Sequence, residues 1–361
     1  MRSAAGFVLF LAMLCARAAA FDPVVPGHAL QFPRDFGAHP GHRIEWWYVT
    51  GQLVRSSGPE KSAAPGAAPL GFQVTFFRVR NPDAERNPSA FSPRQLLFAH
   101  AALADPALGH LLHDQRSARA YDGLVEARTG DTSVWIDDWR LVREGDGYRA
   151  RIEADDFALD LSLAPTQPIL PEGDKGFSRK GPDPAQASEY YSEPHLRVAG
   201  TVRTRGRTRE VTGLAWLDHE WSSELLAPDA AGWDWLGANL ADGSALMAFR
   251  MRAKDGRVLW SQATFRAKGG APVSFEGGSV RFAVRRTWKS PRTGIDYPVA
   301  MELAVGDRRW KIDPIMDDQE LDARASTGTL YWEGAVRIEG DGAPSGGGYL
   351  ELTGYADRVP F

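Results

Sequence analysis

Cysteine is almost missing from this chain: Cys15 is the only one in 361 residues. It lies in an N-terminal segment built like a removable leader. Arg2 gives the charged start, an apolar run extends from Ala4 to Leu14, and Ala18-Ala19-Ala20 supplies small residues for cleavage. Leu14 stands where a lipoprotein cleavage site has a small residue, so ordinary processing near residue 20 is the better reading. The mature chain from Phe21 then has no thiol, which excludes disulfides and cysteine chemistry even though the leader implies an oxidising, periplasmic or secreted location.

Long apolar runs are lacking too. No stretch after the leader approaches the roughly 18 uninterrupted apolar residues of a membrane helix. A basic excess is absent: 42 Lys and Arg face 46 Asp and Glu, a formal charge of −4 that becomes −6 when Arg2 and Arg17 leave with the leader. Without a basic stripe, nucleic acid is not an expected partner. No Gly-x-Ser-x-Gly elbow occurs. His219-Glu220 is followed by Ser223 where a zinc protease would have its second histidine. The pairs His39/His42 and His110/His113 lie in loop-like sequence without a third ligand, so they read as surface histidines and no metal site is expected.

Sustained helical periodicity is scarce. In its place, short runs alternate apolar and polar residues between Gly, Pro, Asp and Asn. They predict strands at 44–53, 71–79, 96–103, 148–154, 157–163, 196–204, 211–221, 233–240, 245–252, 258–267, 297–305, 329–338 and 348–353. Some 340 mature residues, approximately, exceed what one core usually serves. Two all-β domains are therefore expected, 21–224 and 225–361, divided where Pro228, Asp229 and Gly232 interrupt two strands. Residues 56–69 and 165–187 read as surface loops or lids, the second with five prolines.

Tryptophan is abundant and concentrated. Six of the twelve occur in Glu45-Trp46-Trp47-Tyr48, in Trp216 to Trp221 and in Trp233-Asp234-Trp235, interleaved with Glu45, Asp218, His219, Glu220 and Asp234. Charges among large aromatics are costly unless paired or used, so an aromatic-lined cavity is expected. In extended conformation Leu217, His219 and Trp221 share one face and Asp218 and Glu220 the other. Likewise Glu45 and Trp47 oppose Trp46 and Tyr48, while Trp233 and Trp235 oppose Asp234. Periodicity does not say which face looks at a cavity. A structural role stands beside each functional one: His219 as a hydrogen-bonded core residue, the tryptophans as barrel filling, Glu45 paired with Arg43 or Arg250.

Several blocks then carry a resemblance along nearly the whole mature chain: Phe32-Pro33-Arg34-Asp35-Phe36-Gly37, Arg43 through Gly51, Tyr190-Tyr191-Ser192, Leu217 through Ser222, and Gly232-Trp233-Asp234-Trp235. In these the sequence resembles the AttH-like proteins and carotenoid 1,2-hydratases. The resemblance implies two tandem lipocalin-like antiparallel β-barrels, an apolar ligand cavity and a setting beside ABC-type transport components. In the hydratase members it implies addition of water across a carbon double bond without a cofactor.

That chemistry needs an acid, aromatic faces for the developing cation and a base for the attacking water. His219 and Trp221 match the His-x-Trp pair of the hydratases. Their Tyr-x-Asp pair has no counterpart at Leu246 to Met251, so the proton donor is missing there. Asp218, Glu220, Asp234 and Glu45 are the candidate replacements, provided one is buried with a raised pKa. The expected ligand-binding residues are Glu45, Trp46, Trp47, Tyr48, Trp233, Asp234 and Trp235. Two functions follow: an exported carrier of an apolar or amphipathic lipid or isoprenoid, accessory to ABC-type transport; or a cofactor-independent hydratase, lyase or isomerase acting on an unsaturated lipid. Peripheral contact with a membrane surface is compatible with either. A third reading makes one barrel a scaffold for the other, with the interface around Trp216 to Trp235.

Overall fold

The structure is a computed structural model in which residues 21–56, 68–85, 87, 89, 91–224 and 226–356 are described. The expected leader at 1–20 with Cys15, and most of the expected loop at 56–69, lie outside them. The described residues form 23 strands in two antiparallel sheets, one curled into a nearly closed barrel and the other into a half-barrel.

The first sheet holds β1 (Ile44–Arg55), β2 (Leu70–Arg80), β3 (Gln95–Ala104), β4 (Leu111–Arg119), β5 (Val125–Ala127), β6 (Ser133–Ile136) and β7 (Trp139–Glu144). It continues with β8 (Gly147–Glu153), β9 (Phe157–Ala164), β10 (Leu170–Pro171), β11 (Phe177–Arg179), β12 (Ala187–Thr204) and β13 (Arg207–Glu224). The second holds β14 (Ala230–Leu240), β15 (Ala245–Ala253), β16 (Val258–Arg266), β17 (Pro272–Glu276), β18 (Val280–Lys289), β19 (Asp296–Val305), β20 (Arg308–Pro314), β21 (Glu320–Ala323), β22 (Thr329–Asp341) and β23 (Gly346–Leu352).

The strand order of the first sheet, β4-β3-β2-β1-β13-β12-β9-β8-β7-β6-β5, joins its first and last strands in sequence through the β1–β13 pair. That pair places the first tryptophan block beside the second. Each sheet buries one face around its own core. The first core contains Trp47, Phe72, Trp139 and Tyr191, and the second contains Leu236, Trp310, Ile312 and Trp332.

The opposite faces of the two sheets meet each other. Tyr48, Leu170, Tyr190, Trp216, Trp235, Met247, Phe249, Ala335 and Tyr349 form a third buried cluster drawn from both. A buried tryptophan removes on the order of 200 Å² from water, about 5 kcal/mol before its entropy cost, so Trp216 and Trp235 anchor this seam. Polar ties flank it: Gln52 Nε2 donates to the Val336 carbonyl at 2.8 Å, and Asn239 Nδ2 to the Ala215 carbonyl at 3.1 Å. At Gly71 a side chain would not fit, because a Cβ there would stand 2.6 Å from the Ala335 Cβ.

The segment 165–187 departs from the surface loop read in the sequence. Its β10 and β11 pair with β12, and Leu170, Glu172 and Lys180 are buried. Pairing with β12 gives its other backbone groups the hydrogen-bond partners that burial requires.

Candidate functional site

The strand alternation divides the expected site into two. In the β1–β13 register Glu45 lies opposite Trp221, Trp46 opposite Glu220, Trp47 opposite His219 and Tyr48 opposite Asp218. Glu45, Trp47, His219 and Trp221 point into the first sheet's interior, whereas Trp46, Tyr48, Asp218 and Glu220 face the second sheet.

The inner group is a closed polar network. Both imidazoles meet one oxygen of Glu45: His219 Nε2 at 2.9 Å and His39 Nδ1 at 2.8 Å. Arg78 Nε donates to the other oxygen at 2.7 Å. His219 Nδ1 lies 3.0 Å from the Tyr191 hydroxyl and 3.1 Å from the Asp35 carbonyl. Aromatic faces close the sides, with His39 stacked on Trp221 at 3.7 Å and Trp47 on His219 at 4.6 Å.

Burial opposes the charge of Glu45, yet Arg78, His219 and His39 hold its carboxyl well below the ordinary range. Burial lowers the pKa of His219, with Glu45 pulling the other way. In His39 burial is outweighed by Asp35 and Glu45, and its pKa is raised. Ligand atoms of His39, Glu45 and His219 lie within 4.8 Å of one another, the spacing of a metal centre. Each is already engaged in a hydrogen bond, and Arg78 occupies Glu45 on the far side, so the donor set fits an ion-pair network better than a cation.

The outer group lines a cleft between the sheets with a cavity volume of about 110 Å³. Trp46, Tyr48, Phe77, Trp233, Trp235, Phe249 and Met251 make its walls, predominantly apolar. Four carboxyl groups line it as well: Asp218, Glu220, Glu333 and Glu351. The one lysine, Lys180, pairs with Glu220 at 2.8 Å and lies over the rings of Tyr190 and Phe249 at 4.5 and 4.4 Å.

Asp218 accepts from Tyr190, Ser192 and Trp216 at 2.6 to 2.7 Å, but burial dominates and pushes its pKa up to about 7. Burial likewise lifts Glu351 to about 8, against the stabilising Trp233 indole, and nearby Asp218, Glu220 and Asp234 add to the rise. Glu333 is raised further by burial and by Glu351, its direct cross-strand partner. Behind them Glu172, bonded by Ser192 at 2.9 Å, is lifted to about 8 by burial, its partners Ser192 and Thr264 opposing and the Asp218 charge adding. Protonated carboxyls in an aromatic cleft at neutral pH can donate a hydrogen bond or a proton.

The AttH-like family model matches residues 23–355. The chain belongs to the AttH-like family. The crystal structure described as AttH from Nitrosomonas europaea, at 2.00 Å, is 55% identical, covers 93% of this chain and 100% of its own, and superposes with a TM-score of 0.85. Kievitone hydratase from Nectria haematococca covers 94% of this chain and 98% of its own with a TM-score of 0.68 at 14% identity. CghA covers 88% and 89% with a TM-score of 0.51 at 13% identity. These last two share the lipocalin-like fold. No curated protein matches the sequence.

In this AttH-like chain the alternation read from sequence holds for all three tryptophan blocks, and it separates His219 and Trp221 from Asp218 and Glu220. Glu45 is paired with Arg78 and the two histidines, not with Arg43 or Arg250. Arg250 and Arg252 hold Asp234 instead, at 2.5 and 3.1 Å, on the face away from the cleft. Trp47 and Glu45 sit in the inner network, and Trp46, Tyr48, Trp233 and Trp235 line the cleft. His39 is no free surface histidine but the half-buried bridge between Asp35 and Glu45.

Sequence reasoning missed Lys180, Glu333, Glu351 and His100. A signal was present for two of them: Tyr331-x-Glu333 and Tyr349-x-Glu351 repeat one pattern on adjacent strands, with the acids directly opposite each other. Like charges so placed destabilise a sheet unless they are neutralised. The acid sought at Leu246 to Met251 therefore has candidates on β22 and β23.

Proposed function

We propose that this AttH-like protein binds an apolar or amphipathic small molecule in the cleft between its two sheets. The observation that carries the reading is an aromatic-walled cavity containing several buried acids. Such a cavity buries an apolar body while its few polar groups fix orientation. A leader-directed periplasmic or secreted location would suit a protein that meets lipids or isoprenoids at a membrane surface. Native mass spectrometry of protein purified from its source compartment, followed by extraction, tests this. A stoichiometric lipid or isoprenoid is the expected result. An empty protein that shows neither tryptophan quenching nor a thermal shift with lipid and isoprenoid extracts removes the basis of the proposal.

A second reading is favoured by the raised acids. Asp218, Glu333 and Glu351 supply the general acid that a cofactor-independent hydratase, lyase or isomerase needs, and Trp46, Trp233 and Trp235 offer faces for a developing cation. In this reading the cleft is the active site. His219 and Trp221, on the other face of β13, would act by holding that strand. Turnover of an unsaturated ligand that is lost in Glu333→Gln and retained in His219→Gln would support it; the reverse pattern would move the chemistry to the inner network.

A further inference from the structure

We propose that the ligand of the cleft carries a positive charge on an apolar body: an amphipathic ammonium compound. This rests on the cleft being the binding site and names the class of molecule it takes. The argument is one of charge balance. Asp218 and Glu220 from β13, Glu333 from β22 and Glu351 from β23 face the space, and among the described residues the only cation lining it is Lys180, already paired with Glu220. Three carboxyls are left without a counter-charge. The remaining titratable groups around them supply none: Glu172 is another acid, and His100 on β3 is buried and bound to the hydroxyls of Tyr331 and Ser326 at 2.6 and 2.9 Å. Burial, with His113 nearby, lowers the His100 pKa to about 3, so it is neutral. Asp234, whose charge also acts on Glu351, lies on the face away from the cleft and is taken up by Arg250 and Arg252.

A second observation points to a missing partner. Glu333 is 2% exposed and lines the cleft, and its Oε1 has no hydrogen bond of good geometry; the groups beside it are the hydroxyls of Tyr48 and Tyr331, which carry no charge. Buried polar atoms are paired in folded proteins unless something else is to satisfy them. The walls around these atoms are Trp46, Trp233, Trp235 and Phe249, and aromatic faces backed by carboxylates are the arrangement that recognises quaternary ammonium groups. Without such a cation the acids keep their protons. Entry of one would favour their ionised forms and expel protons.

The test uses three ten-carbon probes on the full mature chain: decyltrimethylammonium, decanol and decanoate, followed by tryptophan fluorescence and by calorimetry in two buffers of different ionisation enthalpy. The expected result is that the ammonium probe binds at least tenfold more tightly than decanol and decanoate, releases protons on binding, and gains affinity as pH rises from 6 to 9. Glu333→Gln and Glu351→Gln should each weaken it about tenfold while leaving decanol unchanged, with circular dichroism as the check on folding. Decanol binding as tightly as the ammonium probe, or decanoate binding more tightly, would overturn the charge assignment and leave the cleft as an apolar site. Binding of none of the three would overturn the cleft reading together with it. The pH profile of the wild-type protein alone decides the charge if a variant does not fold: an affinity flat or falling with pH rejects it.

Discussion

Replacing Glu351 with Gln should raise stability in alkali and leave it nearly unchanged in acid. Glu351 lies among Trp233, Glu333 and Asp218, and burial lifts its pKa from 4.5 to about 8. In the unfolded chain it titrates near 4.5. The folded state therefore holds a proton that the unfolded state has lost, and the associated stability, complete below pH 4.5, falls away as pH rises through about 8. At ~1.4 kcal/mol per pH unit this displacement corresponds to ~5 kcal/mol. Water in an open cleft screens that figure, and a contribution of about 2 kcal/mol is the working value. Gln keeps the shape and cannot ionise. At pH 5 the wild type and Glu351→Gln should unfold within about 1 °C of each other; at pH 9 the variant should melt about 4 °C higher, taking ~2 °C per kcal/mol for a chain of this size. Thermal unfolding followed by circular dichroism at four pH values between 5 and 9 measures it. A difference in Tm that does not change with pH, or a variant less stable than wild type at pH 9, would refute the placement of an uncompensated acid in the cleft.

The inner network behaves oppositely. Arg78→Met strands Glu45 and should cost about 3 kcal/mol at pH 7, with much of the loss recovered in Arg78→Met/Glu45→Gln; urea unfolding that finds less than about 1 kcal/mol contradicts the pairing. Because the Glu45 carboxyl is held below its ordinary value, its contribution is present above pH 4.5 and disappears as pH falls further, so wild-type stability should drop below pH 4 while Arg78→Met/Glu45→Gln responds less. His219→Gln lies across β13 from the cleft and should change probe affinity there less than twofold; a larger loss on fluorescence titration would join the two sites. Gly71→Leu drives a side chain into Ala335 and should separate the sheets, costing about 2 kcal/mol and abolishing probe binding; unchanged binding would mean that the seam gives way elsewhere.

Much of the fold was legible because a strand's alternation is local. The strands carrying the three tryptophan blocks fell where the pattern put them, and β14, expected at 233–240, runs from Ala230 to Leu240. Strand β18 was not read, since nearly every residue from Arg281 to Lys289 is exposed or half-exposed apart from Phe282, and register shifts at Val284 and Arg286 break its alternation. The loop at 165–187 hid its buried stretch because its prolines and glycines resemble solvent-exposed sequence, although its partner β12 begins at Ala187, directly after it.

The sequence by itself determined that the protein is all-β, that its tryptophans alternate with charges, and that Glu45, Trp47, His219 and Trp221 share one side while Trp46, Tyr48, Asp218 and Glu220 share the other. Those are consequences of a two-residue period along single strands. Only the tertiary structure decided that the first side closes on Arg78 and His39 and the second opens on Glu333 and Glu351. Partners 33 residues apart in one case, and more than 100 in the other, are brought together by sheet curvature and by the packing of one sheet on another, and no local pattern carries that information.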